Sequence, residues 1–313
     1  MKFFDFNKEE RLEVINFAAT RLGIAPPVLE KDIWLCLVLQ RLFSLPAKIA
    51  FKGGTSLSKV YNLIDRFSED VDITLDYTNF ISLPKPFSAL SRTAIKKLSE
   101  QLKGCLYDYV QNTVLKDFND YFNTELAVEN INLSINDNGE ELRVHYPSLF
   151  SVNGYLQSNI LIEFGGRNSS EPSEQHKITT LIGGVVSDIE FPTAEVNVLS
   201  PLRTFWEKAT LIHVECHRGR LNASPERLSR HWYDLSKLSN TWVSEQALLN
   251  KLLLRQVVEH KIAFFNSSYT HHENCLLGKF RLIPDEQGLR QKSGKMNERL
   301  LSLCFGLANE KSL

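Results

Sequence analysis

Apolar residues first recur at helical spacing and then switch to strand spacing. Asn7 precedes Leu12, Ile15, Phe17 and Ala18, and Pro26-Pro27 separates that run from a second over 28–43 with Trp34, Leu37, Val38 and Leu42. Two helices are predicted, the first capped by Asn7. Ile49-Ala50-Phe51 is short and apolar and predicts a strand. Gly53-Gly54 follows, and Thr55-Ser56 open a predicted helix whose apolar face is Leu57, Val60, Tyr61 and Ile64. A second strand is predicted over 70–75. Alternation then puts Asp70 and Asp72 on one face and Val71 and Ile73 on the other. Beyond Pro84 and Pro86, residues 88–124 predict long amphipathic helices. Strand signals cover 128–135, 142–146, 159–164 and 178–182, and from Ser200 onward the pattern is helical nearly to the end. The chain shows no internal repeat and no low-complexity segment. The expected architecture is α+β: a mixed α/β core over 1–199 and an α-helical lobe over 200–313.

Composition narrows the class. With 313 residues, 43% hydrophobic and 23% charged, the chain suits one large soluble domain or two ordinary ones. The longest apolar run, 33–39, is too short to cross a bilayer. No secretory signal is apparent, so a cytoplasmic location without membrane contact is expected. A net charge of -1 gives no global sign of nucleic-acid binding. Two local clusters are basic: Arg92, Lys96, Lys97 and Lys103, then Lys279, Arg281, Arg290, Lys292, Lys295 and Arg299. Solvated helix faces explain both at least as well as an RNA surface. Cys36, Cys105, Cys216, Cys275 and Cys304 are scattered, odd in number and lack any Cys-x-x-Cys pair, which suits reduced thiols.

The chemistry concentrates where the strands meet the glycines. A Gly-Gly turn between strand and helix exposes backbone N–H groups and suits phosphate. Two carboxylates on one strand face repel unless a cation neutralises them, and hard oxygen ligands suit magnesium. Either feature alone is commonplace. Strand, Gly53-Gly54-Thr55-Ser56, helix and Asp70-x-Asp72 in this order form the pattern of polymerase-β-like nucleotidyltransferases. Glu163, inside the apolar run Ile160-Leu161-Ile162-Glu163-Phe164, is a candidate third carboxylate for metal binding or proton transfer. Its bland alternative is an ion pair with Arg167. Ser200-Pro201 looks like a helix start. On that helix Lys208 is either a point charge for a triphosphate or a snorkelling lysine. Asp234 either orients Lys208 or a substrate hydroxyl, or pairs with Arg230 four residues earlier. His213, Cys216 and His217 lack the further ligands that a zinc site requires.

The motifs together resemble the AbiEii-type toxin nucleotidyltransferases of type IV toxin–antitoxin and abortive-infection pairs. The resemblance runs through Glu30-Lys31-Asp32-Ile33-Trp34, Phe51-Lys52-Gly53-Gly54-Thr55-Ser56-Leu57, Arg66-Phe67-Ser68-Glu69-Asp70-Val71-Asp72, Glu163-Phe164-Gly165-Gly166-Arg167, Trp206-Glu207-Lys208, Arg230-His231-Trp232-Tyr233-Asp234-Leu235 and Leu282-Ile283-Pro284. It implies two lobes around a central cleft, and magnesium-dependent transfer from a nucleoside triphosphate (NTP). Asp70, Asp72 and Glu163 would hold two magnesium ions. Gly53, Gly54, Thr55, Ser56, Arg66, Ser68 and Lys208 would meet the triphosphate, with Asp234 in support. The acceptor implied for some members is the 3′ end of tRNA, which blocks translation, and the implied partner is a cognate antitoxin encoded nearby. Ser68 is also an expected control point, because a phosphate there would compete with the triphosphate. Rival readings are transfer to a protein or small molecule, and a non-enzymatic binding module on the same fold.

Overall fold

The computed structural model describes residues 1–66, 68, 70–82, 87–126, 128–151, 157–218 and 225–283. Phe67, Glu69, Pro284, the basic residues from Arg290 to Arg299 and Cys304 therefore lie outside the described residues. The chain packs as two units. The first comprises Met1–Val60, Phe67–Ser82 and Glu100–Leu199; the second comprises Tyr61–Arg66, Leu83–Ser99 and Ser200–Leu313.

Helix α1, Lys8–Leu22, begins where Asn7 accepts the Glu10 N–H at 2.9 Å and Glu10 accepts the Asn7 N–H at 2.9 Å. It stops at Gly23, whose φ of 66° suits a glycine. The prolines that separate it from α2, Pro26–Phe43, occupy the first turn of α2, where no N–H partner is needed. Leu29 to Leu39 and Leu42 of α2 are buried, including three consecutive charges. Each has a partner, as burial demands. Glu30 accepts Ser148 Oγ at 2.5 Å and Leu149 N–H at 2.7 Å. Lys31 donates to the Gln157 carbonyl at 3.0 Å. Asp32 pairs with Lys59 and accepts the Leu181 N–H at 2.7 Å. The Glu-Lys-Asp motif thus pins three loops of the first unit to one helix.

The sheet of this unit contains β1 (Ile49–Lys52), β2 (Val71–Asp76), β3 (Asn132–Ile135), β4 (Glu141–His145), β5 (Asn159–Asn168), β6 (Ser173–Ile178) and β7 (Ala194–Leu199). Their order is β3-β4-β5-β2-β1-β7-β6. β2 runs parallel to β5 and β1 parallel to β7, while the other neighbours are antiparallel. Phe51, Val71, Ile73, Ile160, Ile162 and Val198 are buried in it, and α2 packs against β7 and β5. Helices α4 (Arg92–Tyr109) and α5 (Leu115–Thr124) are joined by a π-helical turn, Val110–Val114.

Three expectations change. Helix α3 spans Gly53–Lys59, so it begins at the first glycine and ends before Tyr61 and Ile64. Asn62, with φ of 52°, takes the chain out of the helix. The strand expected over 178–182 lies at Ser173–Ile178, followed by a 3-10 turn at Leu181–Gly184. β7 was not anticipated, although Ala194, Val196 and Val198 alternate inward along it.

In the second unit, α6 (Pro201–His217) starts at Ser200, whose Oγ accepts the Leu202 N–H at 3.3 Å. It packs with α7 (Pro225–Ser239), α8 (Trp242–Leu249), α9 (Lys251–Phe265) and α10 (His272–Leu276). Among the described residues, no helix is long and apolar enough to cross a membrane.

Asp76 closes β2 and is a stability determinant. It accepts Ser170 N–H at 2.7 Å, Ser170 Oγ at 2.9 Å, Thr78 N–H at 3.0 Å and Thr78 Oγ1 at 2.6 Å. Burial raises its pKa, and these four bonds outweigh burial to leave it lowered. A lowered folded pKa means that its stabilisation is present above the ordinary carboxylate pKa and is lost as pH falls through the folded value. Asp76→Ala should cost about 2–4 kcal/mol in urea denaturation, since it leaves buried donors unmatched. The cost should shrink in acid.

Candidate active site

Strand register assembles the carboxylates. Asp72 on β2 is the cross-strand partner of Glu163 on β5, and Glu163 is in turn the partner of Glu141 on β4. On its other side Asp72 is paired with Lys52 at the end of β1. Directly paired residues share a face, so Lys52, Asp72, Glu163 and Glu141 form one row across four adjacent strands. All four are half-buried. Side-by-side Asp72 and Glu163 repel, which favours a cation between or near them. Arg143 pairs with Glu141 at 2.7 Å, and Arg167 lies 3.9 Å from Glu140. Glu141 was not legible as a site residue, because only the register brings it beside Glu163, with Arg143 as its ion-pair partner.

The glycine turn is built against this row. Gly53 has φ of 76°, and a Cβ on it would lie 2.6 Å from Asp72 Cγ and 3.0 Å from Asp72 Cβ. Both the backbone conformation and the Asp72 carboxylate therefore require glycine here. Thr55 Oγ1 donates to the Asp70 carbonyl at 2.5 Å, tying the turn to the start of β2. Ser56 Oγ donates to the Gly53 carbonyl at 3.0 Å. Both hydroxyl residues are buried, and so is Gly54. Asp70 stands one residue ahead of β2, with the half-buried Ser68 two residues before it.

Oxygen donors of this kind fit magnesium. Among the described residues, no three His, Cys, Asp or Glu side chains converge as a ready cage. Magnesium does not require one: it is commonly held by one or two carboxylates together with substrate phosphates.

The second unit holds its own charged cluster. Asp234 on α7 is fully buried. It accepts Arg66 Nε at 2.7 Å and Arg66 Nη2 at 2.8 Å, a two-pronged clamp. Lys208 on α6 reaches the same carboxylate at 2.8 Å. Burial raises the Asp234 pKa, but hydrogen bonds from Arg66 and the charges of Lys208 and Arg66 outweigh it, and the net shift is downward. The cluster carries two cations and one anion. Arg66 Nη1 and His231 Nδ1 are buried there with no partner among the described residues. Burial first, then Lys208, push His231 down to about 3, so its ring is neutral near pH 7. Two cations on one carboxylate, with the Arg66 Nη1 donor unmatched among the described residues, suit a phosphate-bearing ligand. Sequence reasoning singled out Arg66, Lys208 and Asp234; the neutral His231 beside them was missed.

A family model for the nucleotidyl transferase AbiEii toxin, type IV toxin–antitoxin system, matches residues 37–303. Among solved structures, the chain matches MenT4, a nucleotidyltransferase toxin from Mycobacterium tuberculosis H37Rv, with 15% identity and a TM-score of 0.46. That match covers 95% of this chain and 90% of that chain. Comparison with curated proteins gives no match.

Two substitutions probe these clusters. Gly53→Ala should displace the Asp72 carboxylate and add about 1–2 kcal/mol of backbone strain. The protein should stay folded by circular dichroism. Asp234→Asn should cost about 3–5 kcal/mol in urea denaturation, because it strands the buried Lys208 and the half-buried Arg66. Replacing the trio together, as Arg66→Met, Lys208→Met and Asp234→Leu, should recover most of that loss.

Proposed function

The chain belongs to the AbiEii nucleotidyl transferase toxin family of type IV toxin–antitoxin systems, and we propose that it transfers a nucleoside monophosphate from an NTP to the 3′ end of tRNA. The family makes the protein a nucleotidyltransferase and implies an antitoxin partner. The acceptor, the metal and the residue roles are the proposal. The observation that supports it best is the in-register pairing of Asp72 with Glu163 beside Gly53, where any side chain would be strained against Asp72.

Asp70, Asp72 and Glu163 would hold magnesium, which neutralises phosphate charge and polarises the phosphorus centre when bound. Gly53 and Gly54 would offer backbone N–H groups to the triphosphate. Thr55 holds the turn to β2, and Ser56 fixes its first carbonyl. Arg66, Ser68 and Lys208 take the triphosphate, with the two cations stabilising charge that grows on its oxygens. Asp234 holds Arg66 and Lys208 in place through direct contacts. A neutral His231 near them adds a hydrogen-bonding group without adding charge. The acceptor's 3′ hydroxyl gives up its proton to a carboxylate, for which Glu163 is the candidate, and its oxygen bonds the α-phosphorus as pyrophosphate leaves.

The test incubates purified protein with each labelled NTP and total cellular RNA. Label should enter RNA of tRNA length in a magnesium-dependent reaction and should be removed by 3′ exonuclease. Label appearing only in protein or in small molecules would overturn the acceptor assignment. Asp72→Ala and Glu163→Gln should remain folded and lose about 100-fold or more of the transfer rate. Lys208→Gln should be nearly as poor, since the role needs charge.

A further inference from the structure

A short segment after α10 is fastened to both motif-bearing helices of the second unit. Trp206 on α6 stacks on Phe280, with ring centroids 5.6 Å apart and planes 23° apart. Trp232 on α7 donates its indole Nε1–H to the Leu282 carbonyl at 2.8 Å. Between these two contacts, the Arg281 backbone N–H donates to His213 Nδ1 at 2.9 Å. Trp206 is two residues before Lys208, and Trp232 is two residues before Asp234. The tryptophans of both motifs thus serve the segment that follows α10.

His213 is fully buried at the centre of this arrangement. A backbone amide can only donate, so Nδ1 is the acceptor and the ring proton resides on Nε2. Nε2 lies 3.1 Å from the His271 carbonyl and donates to it. His271 opens α10 with φ of 46°, a left-handed conformation rare for a residue with a side chain. One neutral imidazole therefore ties α6 to Arg281 and to the start of α10. A second proton would have to sit on Nδ1. It would turn the acceptor into a donor facing the Arg281 N–H, and the bond would break.

The titratable and charged groups around His213 are His217, His271, His272 and Arg281. The His217 ring is 4.5 Å away, and the His271 ring is 4.8 Å from that of His217. Burial lowers the His213 pKa first, and the charges of His271 and Arg281 lower it further against the opposing bond to the His271 carbonyl.

We infer that residues 280–282 are a strap and His213 its buckle, a positioning residue that in its neutral form holds α6 and α7 together and so keeps Lys208 on Asp234. The inference rests on the proposed role of Lys208 and Asp234 in transfer. A histidine with a lowered folded pKa stabilises the structure above its unfolded value, and that stabilisation is lost as pH falls through the folded value. The strap therefore loosens in acid, below the ordinary histidine range.

The test follows the Trp232 indole N–H and the His213 ring protons by NMR, beside the initial rate of NTP turnover, from about pH 8 to about pH 4.5. Wild type, His213→Asn and Trp232→Phe are compared as full-length chains. In wild type the indole signal should shift and turnover should fall with one common titration, that of His213. His213→Asn supplies an acceptor that does not titrate, so both changes should lose that titration. Trp232→Phe removes the indole donor and should lower kcat about 10- to 100-fold without unfolding the chain. The same acid limb in wild type and His213→Asn would overturn the inference. So would an indole signal that titrates with His213 while turnover does not follow, or full turnover in Trp232→Phe. The indole signal reports the strap whatever Lys208 does. Full turnover in Lys208→Gln would instead sink the role of Lys208 and leave a titrating strap standing.

Discussion

Two carboxylates held in register on adjacent parallel strands are the constraint around which the first unit is organised. The β2–β5 ladder puts Asp72 directly beside Glu163, where like charges repel. A sheet tolerates such a pair if its neighbours are firm and a cation is at hand. β1 supplies Lys52 on one side, and β4 supplies Glu141 with its own Arg143 on the other. The Asp72 carboxylate also lies over Gly53, so the turn after β1 and the charge on β2 depend on each other. Thr55 joins the same two elements through the Asp70 carbonyl. The far end of β2 is fixed by Asp76 and its four hydrogen bonds. The backbone of β2 is thereby held at both ends while its apolar side chains, Val71, Ile73 and Leu75, are buried.

The second unit solves a different electrostatic problem. Asp234 has no solvent exposure, and a lone buried carboxylate would be neutral or destabilising. Arg66 and Lys208 keep it ionised, and in turn it keeps two cations in a buried site. Such a trio adds little net stability compared with apolar packing, so its presence calls for a functional reason. Among the described residues Arg66 Nη1 has no partner, which fits the proposed role of this trio in meeting a triphosphate.

How much of this was legible in the sequence depended on whether the signal was local. β1, β2 and β5 are buried and read as apolar or alternating runs. Asn7 and Ser200 announced helix starts by their chemistry, and both caps are present. The helix after Gly53-Gly54 is shorter than its apolar spacing predicts, because Val60, Tyr61 and Ile64 keep helical spacing beyond its end at Lys59. β6 was displaced in the reading for a physical reason: it is an edge strand, and Ser173 to Lys177 are polar and mostly exposed, which erases the alternation. β7 carried a period-two signal at Ala194, Val196 and Val198 that could have been found. Long-range partners were out of reach. No spacing rule joins Arg66 to Asp234 across 168 residues, or Glu141 to Glu163 across a register. The motif Glu30-Lys31-Asp32 was visible as a motif, but its work of pinning three loops emerges only from the contacts.

The central claim is that Asp72 and Glu163 together bind a divalent cation in the presence of a triphosphate. Manganese binding followed by electron paramagnetic resonance, with a non-hydrolysable NTP present, tests it without reference to any acceptor. Wild-type protein should bind manganese, with magnesium competing. Glu163→Gln and Asp72→Asn, each folded by circular dichroism, should each weaken binding about tenfold or more. Unchanged manganese affinity in both folded variants would contradict the account.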